Sequence, residues 1–360
     1  MSQLRTIKNR IRSVRTTRQI TATMKVVALA RLKRRHAEFL KTVPFAEEMN
    51  RVVRRLVRSV RQRQERLIEQ NQDRGLTLPS LINGNGRDKR YVVIAMTSDD
   101  GLSGTAAAQV VAKTGQLIDH LKRQGKEIHV FFYGIRGSDV LKHRYPDLPV
   151  IVIRQKKERT QKGYAHAERI ASDMIELFRR NRFDVCLAVY NQFQSIVSQK
   201  AVIEQVIPNQ LFLPDNPWNH LNQTEEDLPE AVRKSREKWK KSPLWSALGG
   251  EDVLPSLQGE IFKADVGQGT RPTEAYDYEP SDLKALNRVL PRYLTAYWHR
   301  VILESEVSDN AARLMAMDNA NRNADEMSDR LNKICRRVRQ ATVTTDIAEA
   351  SAGNIQENPL

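Results

Sequence analysis

The stretch SQLRTIKNRIRSVRTTRQITATMKVVALARLKRRHAEFLKTV, from Ser2 to Val43, holds neither Gly nor Pro, and its apolar or small residues recur at three and four. Leu4, Ile7, Ile11 and Val14 begin the series; Thr21, Met24, Ala28 and Leu32 continue it. That spacing predicts a helix with a narrow stripe, the mark of a coiled-coil seam, not the broad apolar face of a globular helix. After Pro44, where the lost backbone donor makes a kink expected, an uninterrupted stretch runs on to about Asp73. Some 65 helical residues at 1.5 Å each would reach on the order of 100 Å, more than a compact domain of this size needs.

The far end repeats the pattern. Between Pro291 and Ala352 there is no Gly or Pro, and Leu314, Met317, Ala324, Met327, Leu331, Ile334, Val338, Ala341 and Ala348 follow the same spacing, with Asn321 and Thr345 as polar members. Neither helix can bury such a stripe alone, so the two are expected to pair as a slender antiparallel coiled coil. Between them the period changes. YVVIAMT (Tyr91 to Thr97), EIHVFFYG (Glu127 to Gly134), PVIVI (Pro149 to Ile153) and FDVCLAVY (Phe183 to Tyr190) read as strands, with SQKAVIEQVIP as a possible fifth, and helices alternate with them.

The expected fold is therefore α/β: a long antiparallel coiled coil of the N- and C-terminal helices with an inserted, Rossmann-like, mostly parallel α/β domain. The boundaries are 1–75 for the first helix, 88–213 for the α/β domain, 214–280 for an irregular insertion, 281–352 for the second helix and 353–360 for a tail. The insertion carries seven prolines and five glycines, and a short helix is expected near Glu230 to Lys241. Trp218, Trp239 and Trp245 argue that it packs in part against the α/β domain, because disordered segments are poor in aromatics.

Charge narrows the partners. The chain has a net charge of +16, and residues 1–66 hold nineteen Lys or Arg against four Glu, nearly the whole surplus. Such a segment expects an acidic partner, whether nucleic acid, an anionic lipid surface or a carboxylate-rich protein, and charge alone does not choose among them. Few aromatics interleave with the basic residues, which weighs against a base-stacking module. Cys186 and Cys335 give no disulfide framework or zinc site, and a reducing compartment fits better. No stretch approaches the ~20 apolar residues that cross a bilayer, and no secretory signal opens the chain, so membrane contact is expected only through partners.

Catalytic chemistry is sought without success. TSDDGLSG (Thr97 to Gly104) lies between a strand and a helix, where phosphate loops occur, but it matches neither dinucleotide nor P-loop spacing, and Asp99 and Asp100 would repel phosphate. It reads as a tight turn capped by Ser98 or Asp99. His36, His120, His129, His143, His166, His220 and His299 show no metal-ligand spacing. No catalytic residue, cofactor or metal is expected.

Three separated stretches resemble the gamma subunit family of F-type ATP synthases. RIRSVRTTRQITATMKVVALARLKR (Arg10 to Arg34) is similar to the family's amino-terminal signature, with Thr23 and Val26 as departures, and PFAEEM (Pro44 to Met49) to the motif that follows. TSDDGLSG resembles the family's S-D-R-G-L-C-G-G turn, departing at Asp100, Ser103 and Thr105. ESEVSDNAARLMAMDNANRNADEM (Glu304 to Met327) and VRQATVTTDIAE (Val338 to Glu349) resemble the carboxy-terminal signature, with Asp309 and Leu314 as departures, while EASAGNIQENPL (Glu349 to Leu360) is more polar than the family's apolar tail.

That resemblance implies a central-stalk rotor without an active site of its own. The paired helices would enter a hexamer of alternating alpha and beta subunits, and the α/β domain would meet the epsilon subunit and the c-ring, one copy per complex, at the cytoplasmic face of a bacterial inner membrane. By motif position, Met24 and Lys25 would face a beta-subunit loop. Arg339, Gln340 and Thr344 would bond the catch loop of one beta subunit, with Arg313 helping to position it. The insertion and substitutions lean toward an alternative, sodium-type complex, though other subunits choose the ion. Two other readings stand beside this one: a basic coiled-coil nucleic-acid binder, and a nucleotide-dependent enzyme on the α/β domain.

Overall fold

The computed structural model describes residues 2–69, 77–153, 163–209, 218–222, 279 and 281–356. In chain order the elements are α1 (Ser2–Glu69), α2 (Ser80–Asn83), β1 (Arg90–Met96), α3 (Ala106–Arg123), β2 (Glu127–Tyr133), α4 (Ser138–Arg144), β3 (Val150–Ile153), α5 (Gly163–Arg179), β4 (Val185–Phe193), β5 (Gln199–Ile207), α6 (Asn219–Asn222) and α7 (Asp282–Gln356). Both terminal helices are unbroken, with Pro44 inside α1 and Pro291 inside α7. Two compact units result, one of residues 1–30 with 313–360 and one of residues 31–312, so each long helix contributes to both. Most of the 214–280 insertion, including Trp239, Trp245 and the helix expected near Glu230, lies outside the described residues.

The second unit is built on a five-stranded sheet in the order β3-β2-β1-β4-β5. β3, β2, β1 and β4 are parallel, and β5 turns back antiparallel to β4. Only 194–198 separate β4 from β5, which suits a hairpin and is too short for a parallel crossover. Because helices cover both faces, β1 is apolar from Tyr91 to Met96, and its alternate side chains enter two different cores. Tyr91, Val93 and Ala95 pack with Val110, Leu117, Ile118 and Leu121 of α3. Val92, Ile94 and Met96 face the other way, into a core shared with Ile170 and Met174 of α5, Val53 and Leu56 of α1, and Leu290 and Trp298 of α7.

Within this unit α1 and α7 run antiparallel, since Arg35 pairs with Glu306 at 2.9 Å and Ser59 bonds Asp282 at 2.6 Å. Apolar burial, not these polar contacts, carries the pairing. A half-exposed ion pair is worth about 0–1 kcal/mol, whereas each fully buried Leu, Val or Trp contributes roughly 1.5–3 kcal/mol. Val53, Leu286, Trp298 and Val301 are all 0% exposed.

Two buried carboxylates fix the ends of strands. Asp184 accepts hydrogen bonds from Asn85 Nδ2, the Lys89 and Arg90 backbone N–H groups and Arg90 Nη2, joining the starts of β1 and β4. Burial would raise its carboxyl, but these four donors outweigh burial and hold it well below the usual carboxylate range. Glu304 on α7 accepts from the Phe193 N–H of β4 and from Arg300 Nη1, and Arg300 Nη2 reaches Glu204 of β5 at 2.8 Å. One guanidinium thus serves two carboxylates. Burial, opposed by Arg300 and aided by Glu204, pushes Glu304 up to about 7.

The described root of the insertion packs on the sheet. Trp218 is buried edge-on against Tyr91 and His120, and the Asn222 side-chain amide both accepts from Ile203 N and donates to Ile203 O at 2.8 Å on the outer strand β5.

Glu304 gives a pH signature of known sign. Between its ordinary value of 4.5 and about 7 the folded chain holds a proton that the unfolded chain has lost, so this group's contribution favours folding less as pH rises through that window. Glu304→Gln should flatten the change, so that urea-unfolding free energies at pH 5 and pH 8 differ between variant and parent by on the order of 1–3 kcal/mol. Parallel pH profiles for the two chains would contradict the assignment.

Candidate partner-binding surface

In the first unit the α1 and α7 segments again run antiparallel. Arg18 meets Asp325 at 2.5 Å, Thr21 Oγ1 donates to Asn321 Oδ1, and Lys25 meets Asp318 at 2.6 Å, so residue numbers rise on one helix as they fall on the other. Asp318 also holds Arg322 at 3.0 Å. On α7 a strict alternation of three and four runs through the sheltered residues Leu314, Met317, Asn321, Ala324, Ser328, Leu331, Cys335 and Val338. On α1 the matching positions are Leu4, Ile7, Ile11, Val14, Thr21, Lys25 and Ala28. Both series have the 3.5-residue period of a heptad seam.

The phase departs from the sequence expectation at three points. Met327 and Ile334 were expected on the seam, yet they are 54% and 46% exposed, and Ser328 and Cys335 occupy the sheltered positions instead. Met24 is 40% exposed while its neighbour Lys25 turns inward. The expected seam members Ala341, Thr345 and Ala348 are exposed as well. At Lys25, Ser328 and Cys335 a small or polar side chain takes the seam position, between the larger Leu314, Met317, Leu331 and Val338 of α7 and Leu4, Ile7, Ile11 and Val14 of α1. Several other large apolar residues face outward: Ile20, Val26 and Val27 on α1, Val343 and Ile347 on α7. Hydrophobicity ranked residue by residue could not find this surface; the signal was a pair of apolar residues lying one step out of phase with a small one.

The other expected residues fall into two groups. Arg339, Gln340 and Thr344 are exposed on one stretch of α7, and Thr344 Oγ1 donates to Gln340 O at 2.9 Å. Arg313 is buried, and its position lies some 26 residues earlier, roughly 40 Å along the helix. Met24 lies on the outer face of α1, and Lys25 is half-buried against Asp318.

TSDDGLSG forms the turn between β1 and α3, but neither Ser98 nor Asp99 caps that helix. Its N-cap is Thr105, without a side-chain bond. Asp99 Oδ1 accepts from Ile135 N, Ser98 Oγ accepts from Asp100 N, and Asp100 pairs with Arg31 at 3.0 Å. The adjoining Gly134 has φ +109, and a Cβ there would meet Thr97 O at 2.5 Å. Among the described residues no group of three or more His, Cys, Asp or Glu could hold a metal ion. A cavity of about 290 Å³ lies between α5 and β1–β3, lined by Ile94, Phe131, Tyr133, Ile153, Ile170 and Met174 among others. No helix among the described residues is long and apolar enough to cross a membrane.

A family model described as ATP synthase matches residues 3–354. The ATP synthase gamma chain of Paracoccus denitrificans is 31% identical over 353 residues, spanning 98% of this chain and 99% of that one. This chain belongs to the ATP synthase gamma-chain family. The gamma chain of Paramagnetospirillum magneticum is 30% identical over 355 residues, with the same coverage of both chains. In fold, this gamma chain is similar to a chain of the Euglena gracilis mitochondrial ATP synthase OSCP/F1/c-ring assembly in rotational state 3, with a TM-score of 0.53 at 15% identity over 99% of this chain and 95% of that one. A gamma chain is a non-catalytic, central-stalk part of the ATP synthase. The nucleic-acid and nucleotide-enzyme readings find no support among these relatives.

The seam phase can be checked by thiol reactivity. A full chain carrying Ile334→Cys with Cys335→Ser should react with a maleimide about tenfold faster than native Cys335 does, because thiol reactivity follows exposure. Equal rates would place residue 334 on the seam after all.

Proposed function

We propose that this gamma chain couples rotation to nucleotide chemistry through the exposed faces of the first unit. Met24, Arg339, Gln340 and Thr344 contact loops of the catalytic beta subunits, while Lys25 and Arg313 support those contacts from within the helix pair. The apolar residues left outside the seam carry the reading. Ile20, Met24, Val27, Met327, Ile334, Val343 and Ile347 are large apolar side chains left exposed on paired helices, the kind of surface that another protein covers.

Arg339 and Gln340 add polar specificity. A guanidinium donates a forked, charge-assisted hydrogen bond to a carboxylate, and lysine cannot reproduce that geometry. Two unlike helices present different side chains in different directions, so three equivalent catalytic sites around them meet three different surfaces. Differential contact is what lets angular position bias affinity at each site. In the same reading the second unit meets the epsilon subunit and the polar loops of the c-ring. One copy serves each complex, at the cytoplasmic face of the inner membrane and attached to it only through partners.

The test is the double variant Arg339→Ala with Gln340→Ala in a complex reconstituted with alpha and beta subunits. The complex should assemble and hydrolyse ATP roughly threefold to thirtyfold more slowly, the scale expected when interface anchors are truncated. Full turnover in an intact complex would refute the assignment of the catch contact.

A further inference from the structure

The middle of the first unit's seam is poorer than its flanks in the features that normally fix register. Leu4, Ile7, Ile11 and Val14 line α1 before it and Leu331 and Val338 line α7 beyond it, but Thr21, Ala28, Ala324 and Ser328 are small, and a row of small side chains slides past another with little change in packing. Polar contacts make up for this. Thr21 bonds Asn321 across the seam, and Lys25 reaches Asp318 with the two side chains 21% and 17% exposed. Arg18 and Asp325 are 55% and 52% exposed, where an ion pair contributes little. The inner pair and the Thr–Asn bond therefore matter most. Moving one helix by a heptad in either direction would leave only one of the two interhelical cations facing a carboxylate. Asp318 is also braced by Arg322 on its own helix, which fixes the carboxylate before Lys25 arrives.

We propose that Thr21, Lys25, Asp318 and Asn321 form a register lock that keeps the two helices from slipping when the stalk bears torque. Lys25 acts in this lock as a positioning residue. Its charge is spent on Asp318, and its influence on the catalytic subunits passes through the placement of its exposed neighbour Met24. The proposal rests on the central-stalk role but concerns the inside of the helix pair.

The experiment compares Lys25→Ala, Asp318→Ala, their combination, and the exchange Lys25→Asp with Asp318→Lys, each in the full chain. Spin labels on cysteines replacing the exposed Thr23 and Asn323 report the distance between helices, and ATP hydrolysis is measured in the assembled catalytic complex. Each single substitution should broaden the distance distribution and slow hydrolysis by roughly threefold to tenfold, the combination should be no worse than either, and the exchange should restore both readouts. Losses that add independently, or an exchange that restores neither readout, would overturn the lock and make Lys25 a contact to another subunit. Unchanged distributions in all variants would overturn it too. Broadened distances in a chain that joins no catalytic complex would instead count against the central-stalk reading and leave the lock standing.

Discussion

A heptad stripe is too narrow to fold alone, and the pairing of the chain's first and last segments answers that constraint. In each unit the pairing is antiparallel, but different forces maintain it. In the second unit, Val53, Leu56, Leu290 and Trp298 are sealed against a sheet, and burial of apolar surface dominates. In the first unit small and polar side chains interrupt the apolar seam, so hydrogen bonds and half-buried charge take a larger share. It is in the first unit that large apolar residues such as Ile20, Val27, Ile334 and Ile347 face outward.

The sheet unit shows how electrostatics and burial cooperate where the chain changes direction. Asp184 gathers four donors where β1 and β4 begin, and Arg300 gathers two carboxylates where β4, β5 and α7 meet. Their titration runs in opposite directions. The donors around Asp184 stabilise the ionised form, so its contribution is present above the ordinary carboxylate range and lost on acidification. Glu304 is pushed the other way because burial and Glu204 together outweigh Arg300.

Much of this architecture could be read from the sequence because the periodicities are long and uninterrupted. Two helices without internal glycine over their seams, and apolar strands alternating with amphipathic helices, leave few other folds. The antiparallel β5 was legible in principle from the five-residue connection before it. The seam phase was not. Met327 outranks Ser328 in hydrophobicity, and Met24 outranks Lys25, so a ranking by hydrophobicity puts the wrong member of each pair on the seam; Lys25 is turned inward by its ion pair with Asp318. The turn after β1 was anticipated, whereas the engagement of Asp99 with a different loop depends on residues 36 positions away. The assignment of Arg339, Gln340 and Thr344 came from motif resemblance alone, since an exposed Arg or Gln on a helix carries no mark of its partner.

The Asn222 amide has a consequence for how copies of this chain behave beside one another. A strand at the rim of a sheet offers unpaired N–H and C=O groups to any passing chain. At Ile203 both groups are already engaged by one side chain, and Trp218 is seated nearby. A stray β segment meeting that rim finds no vacancy at Ile203, so the residues that root the insertion also guard the molecule against growing into a shared sheet.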